Sequence, residues 1–240
     1  MARASLFATC LVDQVYPQVG ISTVRLLRRL GVEVDFPTGQ TCCGQPAFNS
    51  GYASQARAMA LRWLEQFQQS QYVVVPSGSC ASMLKVHAPE MLKDDPTLAA
   101  RARDLAGRTY ELSQFLVDVL HVTDVGASFQ GSVTYHPSCH LLRDLRADTQ
   151  AQRLIQSVRG ADYVELPNAE ECCGFGGTFA VKYPEISTAI LEGKLQAIEA
   201  SGADAVVACD MGCLMHIAGA MSRRGMKAKT MHLAELLEKR

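Results

Sequence analysis

The sequence predicts an α/β protein of two pseudo-symmetric halves, each with a small parallel sheet flanked by helices and with cysteines at the carboxyl ends of its strands. Three observations predict it. The chain repeats itself once, strand-like runs alternate with amphipathic helical runs, and cysteines recur at matching places in both repeats.

Two stretches carry the repeat: GVEVDFPTGQTCCGQPAFNSGY from Gly31 and GADYVELPNAEECCGFGGTFAVKY from Gly160. Each runs from Gly through alternating apolar residues to a Pro (Pro37, Pro167) and then to Cys-Cys-Gly. One further Cys lies upstream: Cys10 precedes Cys42 by 32 positions, and Cys139 precedes Cys172 by 33. Downstream, YVVVPSGSC ends at Cys80 and AVVACDMGC at Cys213. The halves also close alike, with RTYELSQFL near residue 112 and KTMHLAELL near residue 233.

In chain order, SLFATC, VEVDF and YVVVP read as strands of the first half, and SVTYH, YVELP and AVVAC as strands of the second. STVRLLRRLG has a Ser/Thr start, apolar residues at Val24, Leu27 and Leu30, and a terminal Gly31, which reads as a helix. Residues 53–68 and 185–200 are amphipathic as well. Strands alternating with helices make βαβ units and a parallel sheet, and sites in such sheets form at the strands' carboxyl edge. Residues 121–132, HVTDVGASFQGS, carry Gly and Ser without periodicity and read as the joint, dividing a first domain, 1–121, from a second, 122–240.

With 48% hydrophobic and 20% charged residues, the chain can bury a substantial core. A net charge of -1 gives no footprint for nucleic acid. No run approaches the roughly 20 apolar residues of a membrane span, and MARASLFATCLVDQ is too short in apolar residues for an export signal. The expected location is cytoplasmic.

Nine cysteines, an odd number, argue against a disulfide framework in such a chain and for metal or redox chemistry. Eight fall into the repeat: Cys10, Cys42, Cys43 and Cys80, then Cys139, Cys172, Cys173 and Cys213. Cys209 has no counterpart near position 76 and reads as a core residue, with a fifth ligand as the alternative. Four thiolates can close a structural zinc site, but zinc sites usually show paired C-x₂₋₄-C knuckles, and the only short pair, Cys209/Cys213, is absent from the first half. Adjacent cysteines suit a polynuclear cluster, whose irons they can bind separately, and Cys₄ ligation of [4Fe–4S] is the common arrangement. The expected cofactor is an iron–sulfur cluster of the [4Fe–4S] type, one or two per chain. Gly44 and Gly174 would give the positive φ of a chain wrapped around a cluster, while Gly176 and Gly177 would let backbone N–H groups face its sulfurs.

The pattern Cys … Cys-Cys-Gly … Cys resembles the cysteine-rich CCG domain of heterodisulfide reductase B subunits and of glycolate- and glycerol-3-phosphate-oxidising iron–sulfur subunits. FATCLVDQVYPQVG, CCGQPAFNSGY, VVPSGSC, YHPSCHLLR, EECCGFGGTFAVKYPEIS and DMGCLMHIAG resemble the lactate utilization protein A family along almost the full chain. That resemblance implies an electron-transfer role in oxidising L-lactate to pyruvate with two partner proteins. The heterodisulfide relatives keep open a thiol–disulfide reductase, and the cysteines alone a structural zinc module. Where heterodisulfide reductase-type subunits end each motif with Cys-x-x-Cys, this chain has Ser77-Gly-Ser-Cys80 and Asp210-Met-Gly-Cys213. Ser77 and Asp210 read either as oxygen ligands or as helix caps and turn residues.

No catalytic residue stands out. His136 and His140 bracket Cys139 and His216 follows Cys213, which allows ligation or proton transfer, though a structural role is favoured; His87 maps only loosely onto His216. Arg143 and Lys182 read as surface charges that could attract an anion, and Met83, Met211, Met215 and Met221 as helix-core residues. GFGG at 174–177 lacks the spacing of a dinucleotide fingerprint and there is no P-loop. A two-electron hydride step is therefore expected in a partner.

Overall fold

The computed structural model describes residues 1–240. The first half runs β1 (Arg3–Leu6), α1 (Cys10–Gln14), α2 (Pro17–Arg29), β2 (Glu33–Asp35), α3 (Gln45–Asn49), α4 (Ala53–Phe67), β3 (Tyr72–Val75), α5 (Gly78–Ser82), α6 (Ala88–Met91), α7 (Pro96–Gly107), β4 (Thr109–Glu111) and α8 (Leu112–Gln114). The second runs β5 (Ser128–Tyr135), α9 (Asp148–Gln156), β6 (Arg159–Tyr163), α10 (Thr178–Lys182), α11 (Pro184–Ser201), β7 (Ala205–Ala208), α12 (Met211–Arg223), β8 (Lys229–His232) and α13 (Leu233–Glu238).

The strands form two separate four-stranded parallel sheets, β2-β1-β3-β4 and β6-β5-β7-β8. The repeat is thus a repeat of topology. Ala4 on β1 lies between Val34 and Tyr72, and Val133 on β5 lies between Tyr163 and Ala205. Local chemistry starts the helices. Thr9, Asp95 and Asp210 cap α1, α7 and α12 with side-chain oxygens, and Pro17, Pro96 and Pro184 occupy first turns, where a missing N–H costs nothing.

Both faces of each sheet are covered, which is why its central strands read as continuous apolar runs. Side chains alternate along β3: Val73 and Val75 face an outer core with Trp63, Leu64, Phe67 and Leu105, while Val74 faces inward. On β7, Val206 faces an outer core with Leu191, Leu195 and Met221, while Val207 faces inward. The inward faces share one cluster of 30 buried residues drawn from both halves, including Leu26, Leu116, Leu154 and Leu236. At roughly 1.5–3 kcal/mol for each fully buried large aliphatic side chain, this common core makes the halves one packed body. Across the seam α2 lies against α13, and Arg29 donates to the carbonyls of Leu237 and Glu238 at 2.5 and 3.0 Å.

Five sequence expectations need correction. The helix read from a Ser/Thr start at Ser22 begins earlier, at Pro17, whose fixed φ suits a first turn, and Ser22 and Thr23 lie buried within it. The strand at YVELP sits earlier: pairing covers Arg159–Tyr163, and the chain leaves the sheet before Pro167, which has no N–H for a ladder. The joint is shorter than 121–132, because β5 begins at Ser128. The Gly and Ser there mark a register shift between Ser128 and Gly131, with Gly131 at φ +133, rather than a loop. β4 and β8 are real edge strands that the short, mixed runs TYE and KTMH do not announce. Met83, Met211 and Met221 are buried as expected, but Met215 is only half-buried, since α12 turns that face outward.

Candidate metal centre

In each half the cysteines come from three loops at the carboxyl ends of strands. Cys10 and Cys139 follow β1 and β5. The Cys-Cys-Gly turns follow β2 and β6. Cys80 and Cys213 sit in the first turns of α5 and α12, three residues after the caps Ser77 and Asp210. The sheet order places these three loops side by side.

In the first half, the Cys42 thiol lies 3.8 Å from Cys10 and the Cys43 thiol 3.3 Å from Cys80. Cys42 and Cys43 also touch, so the four sulfurs form one chain. The second half repeats it: Cys172 contacts Cys139 and Cys173, and Cys173 contacts Cys213. The inner cysteines, Cys43, Cys80 and Cys173, are buried or nearly so, while Cys10 is exposed. An open cavity of about 280 Å³ lies beside Cys10 and Cys42, walled also by Asp13, Phe36, Gln40 and Thr41.

The thiols divide their charge unevenly. Cys42 is held down to about 3, first by the Cys10 thiol, then by Cys43, with help from the Gly44 N–H. Cys172 is held down to about 2 by Cys139, then Cys173, with the Gly174 N–H donating to its sulfur at 3.3 Å. Their neighbours Cys10, Cys43, Cys139 and Cys173 are pushed up, first by the same sulfur contacts and then by burial. The sulfur contacts thus favour the anionic form at Cys42 and at Cys172, and the thiolate is the species that captures metal.

Gly44 and Gly174 adopt φ +91 and +87. A Cβ on Gly174 would run into the Ser187 carbonyl oxygen, and one on Gly44 would stand 3.2 Å from Met59 Cβ. These glycines let the turns press against α11 and α4 with their N–H groups on sulfur. Gly176, at φ +52, lies against Phe179.

The other sequence candidates separate clearly. Ser77 and Asp210 are helix caps: the Ser77 hydroxyl accepts from the Cys80 N–H at 3.2 Å, and both Asp210 carboxylate oxygens are engaged by N–H and O–H donors. Cys209 lies in the shared core, its sulfur 3.8 Å from the Tyr135 hydroxyl. The Gln45 amide reaches both the Ser79 carbonyl oxygen and His140 Nε2 at 3.3 Å, bridging the halves between Cys80 and Cys139. His216 contacts the Ser187 hydroxyl at 3.2 Å, and burial lowers its pKa. His87 stacks on Phe48. Arg143 and Lys182 are exposed. His136 is wholly buried, with a ring nitrogen, Cys173 Sγ and Cys213 Sγ all within 4.8 Å of one another.

Sequence reasoning missed Lys194. It is buried on α11 and donates to the carbonyls of Asn168 and Ala169 at 3.0 and 3.1 Å, tying down the loop that leads to Cys172. Arg62 does the same in the first half, donating to the Gly39 carbonyl at 2.9 Å. The signal was present: Lys194 shares the apolar stripe of Leu191, Leu195 and Ile198.

The donor set, four sulfurs with no carboxylate among them, fits a thiophilic metal or an iron–sulfur cluster. A family model for the cysteine-rich CCG domain matches residues 4–85 and 133–218, one copy per half. Lactate utilization protein A of Oceanobacillus iheyensis is 52% identical over 98% of this chain and 96% of its own. That of Bacillus subtilis (strain 168) is 48% identical over 99% and 100%. A crystal structure of a hypothetical protein from Helicobacter pylori shares the fold, with TM-score 0.68 at 10% identity, over 98% of this chain and 48% of that one. With both halves matched by the domain and relatives about half identical along the whole length, the chain belongs to the lactate utilization protein A family of cysteine-rich CCG proteins.

Proposed function

We propose that this chain is the iron–sulfur electron-transfer member of a system that oxidises L-lactate to pyruvate. The observation that carries the reading is the convergence of four sulfurs in each half onto one place. Cys10, Cys42, Cys43 and Cys80 would hold one [4Fe–4S]-type cluster in the domain spanning 1–121, and Cys139, Cys172, Cys173 and Cys213 a second in 122–240. Such a cluster supplies one-electron transfer when bound. The chain's own residues do the rest. Gly44 and Gly174 direct N–H groups at the sulfurs, the buried cysteines keep water away, and Gln45 with His140 joins the two sites by a short polar path. No helix is long and apolar enough to cross a membrane, and a cytoplasmic location suits thiolate ligands that must stay reduced. Lactate oxidation also needs a two-electron step, which we assign to one of two partner proteins. The names of the relatives support the substrate.

The test is to purify the chain with its co-expressed partners without oxygen, add L-lactate, and follow the visible absorbance. Bleaching by L-lactate that requires the partners supports the reading. Reoxidation of the reduced chain by a disulfide, with no response to lactate, would favour the thiol–disulfide alternative.

A further inference from the structure

His136 is the last residue before the chain turns from β5 towards Cys139. Its side chain has no exposed surface, and neither Nδ1 nor Nε2 has a hydrogen-bond partner. Leaving a buried polar group unpaired costs about 1–3 kcal/mol, so an imidazole kept only for packing would be a poor choice. The first half shows what packing alone requires. Counting back three residues from Cys139 and from Cys10, the counterpart of His136 is Phe7, 1% exposed with its ring 5.5 Å from Phe67. The phenyl ring fills the same place in the fold without any polar atom. In the second half the ring nitrogen faces sulfur, lying with Cys173 Sγ and Cys213 Sγ inside a 4.8 Å group that could hold a metal ion. Its backbone is fixed by donation to the Val207 carbonyl at 2.8 Å, so the ring is set at the site by the sheet itself.

We infer that His136 is a nitrogen ligand at the second site, taking one iron in place of one of the four cysteines named above, which makes that site mixed imidazole and thiolate while the first is thiolate only. This rests on the cluster reading above. Imidazole is an established partner of iron and zinc beside thiolates. It carries no negative charge, and where His replaces Cys at iron–sulfur centres the reduction potential rises. The second site would then be the one at which electrons from the first come to rest.

The experiment uses the full chain labelled with ¹⁵N-histidine and purified without oxygen, its iron and sulfide measured, then reduced and examined by pulsed EPR. A strongly coupled ¹⁵N nucleus that disappears in His136→Phe, together with a lower potential for the second site in that variant, is the expected result. Iron and sulfide present without a directly bonded ¹⁵N nucleus, or a coupling that survives in His136→Phe, would overturn the inference and leave the cluster reading intact. If the unmodified chain cannot be obtained with iron and sulfide, the cluster reading fails by itself. Titrating the metal-free chain with Co²⁺ then decides the role of His136: absorption bands that shift in His136→Phe support ligation, and identical spectra overturn it.

Discussion

Ser77 and Asp210 hold the same position in their respective halves and are hydrogen-bonded to each other, the Ser77 hydroxyl donating to Asp210 Oδ2 at 3.1 Å. The same oxygen accepts from the Ser79 N–H at 2.9 Å, while Oδ1 accepts from the Gly212 N–H at 3.0 Å. One carboxylate thus caps the two helices that carry Cys80 and Cys213. Helix N-termini favour such an anion, and the arrangement fixes one cysteine site relative to the other. Asp210→Ala should destabilise the chain by about 1–3 kcal/mol, because it orphans N–H groups in both halves. Ser77→Ala should cost about 1 kcal/mol. Urea denaturation of the two single variants and the double variant measures this. Strictly additive effects would show that the contact carries no coupling.

The cysteines should fall into two classes. Cys172→Ser and Cys173→Ser should each remove the iron of the second site, because a serine hydroxyl is a poor substitute for a thiolate. Cys209→Ser should keep its iron and lose about 1–3 kcal/mol of stability, since a hydroxyl there enters a buried, mostly apolar place. Iron and sulfide per chain, measured for each variant, separate the classes. Equal iron loss in Cys209→Ser would make Cys209 a ligand.

Glu111 predicts a pH dependence. Burial pushes its carboxyl up to about 7 from an ordinary 4.5, against the hydrogen bonds donated by Ser113. The folded chain therefore holds a proton that the unfolded chain releases between those values. This contribution to stability falls as pH rises from about 4.5 to about 7 and stays lost above. At about 1.4 kcal/mol per unit, the loss is about 3 kcal/mol. Glu111→Gln should gain that much on the parent between pH 4.5 and pH 8 in urea denaturation. Parallel stability curves would contradict it.

Glycine substitutions should rank by space. Gly174→Ala combines φ +87 with a collision against the Ser187 backbone, and should cost several times the roughly 1 kcal/mol of a strained turn. Gly51→Ala, at φ +83 with nothing within 4 Å, should show only the turn cost. Thermal unfolding compares them, and equal losses would refute the packing argument.

The two parallel sheets and the gathering of the eight repeat cysteines were legible because the pattern states them twice: strand, helix and Cys recur at nearly equal spacing, and parallel βαβ topology brings strand ends together. The edge strands at 109–111 and 229–232 were not, since a few residues of mixed polarity become strands only by pairing with a buried neighbour. Lys194 and the double cap at Asp210 depend on contacts across loops and halves, which no local pattern records. His136 was visible as a residue but not as a buried nitrogen without partners, because burial is a property of the packed fold.

The most direct test of the account is metal analysis of the chain purified without oxygen. Iron and acid-labile sulfide are expected in similar amounts, lowered by Cys42→Ser or Cys172→Ser alone and abolished when the two are combined. Zinc bound without iron or sulfide would contradict it.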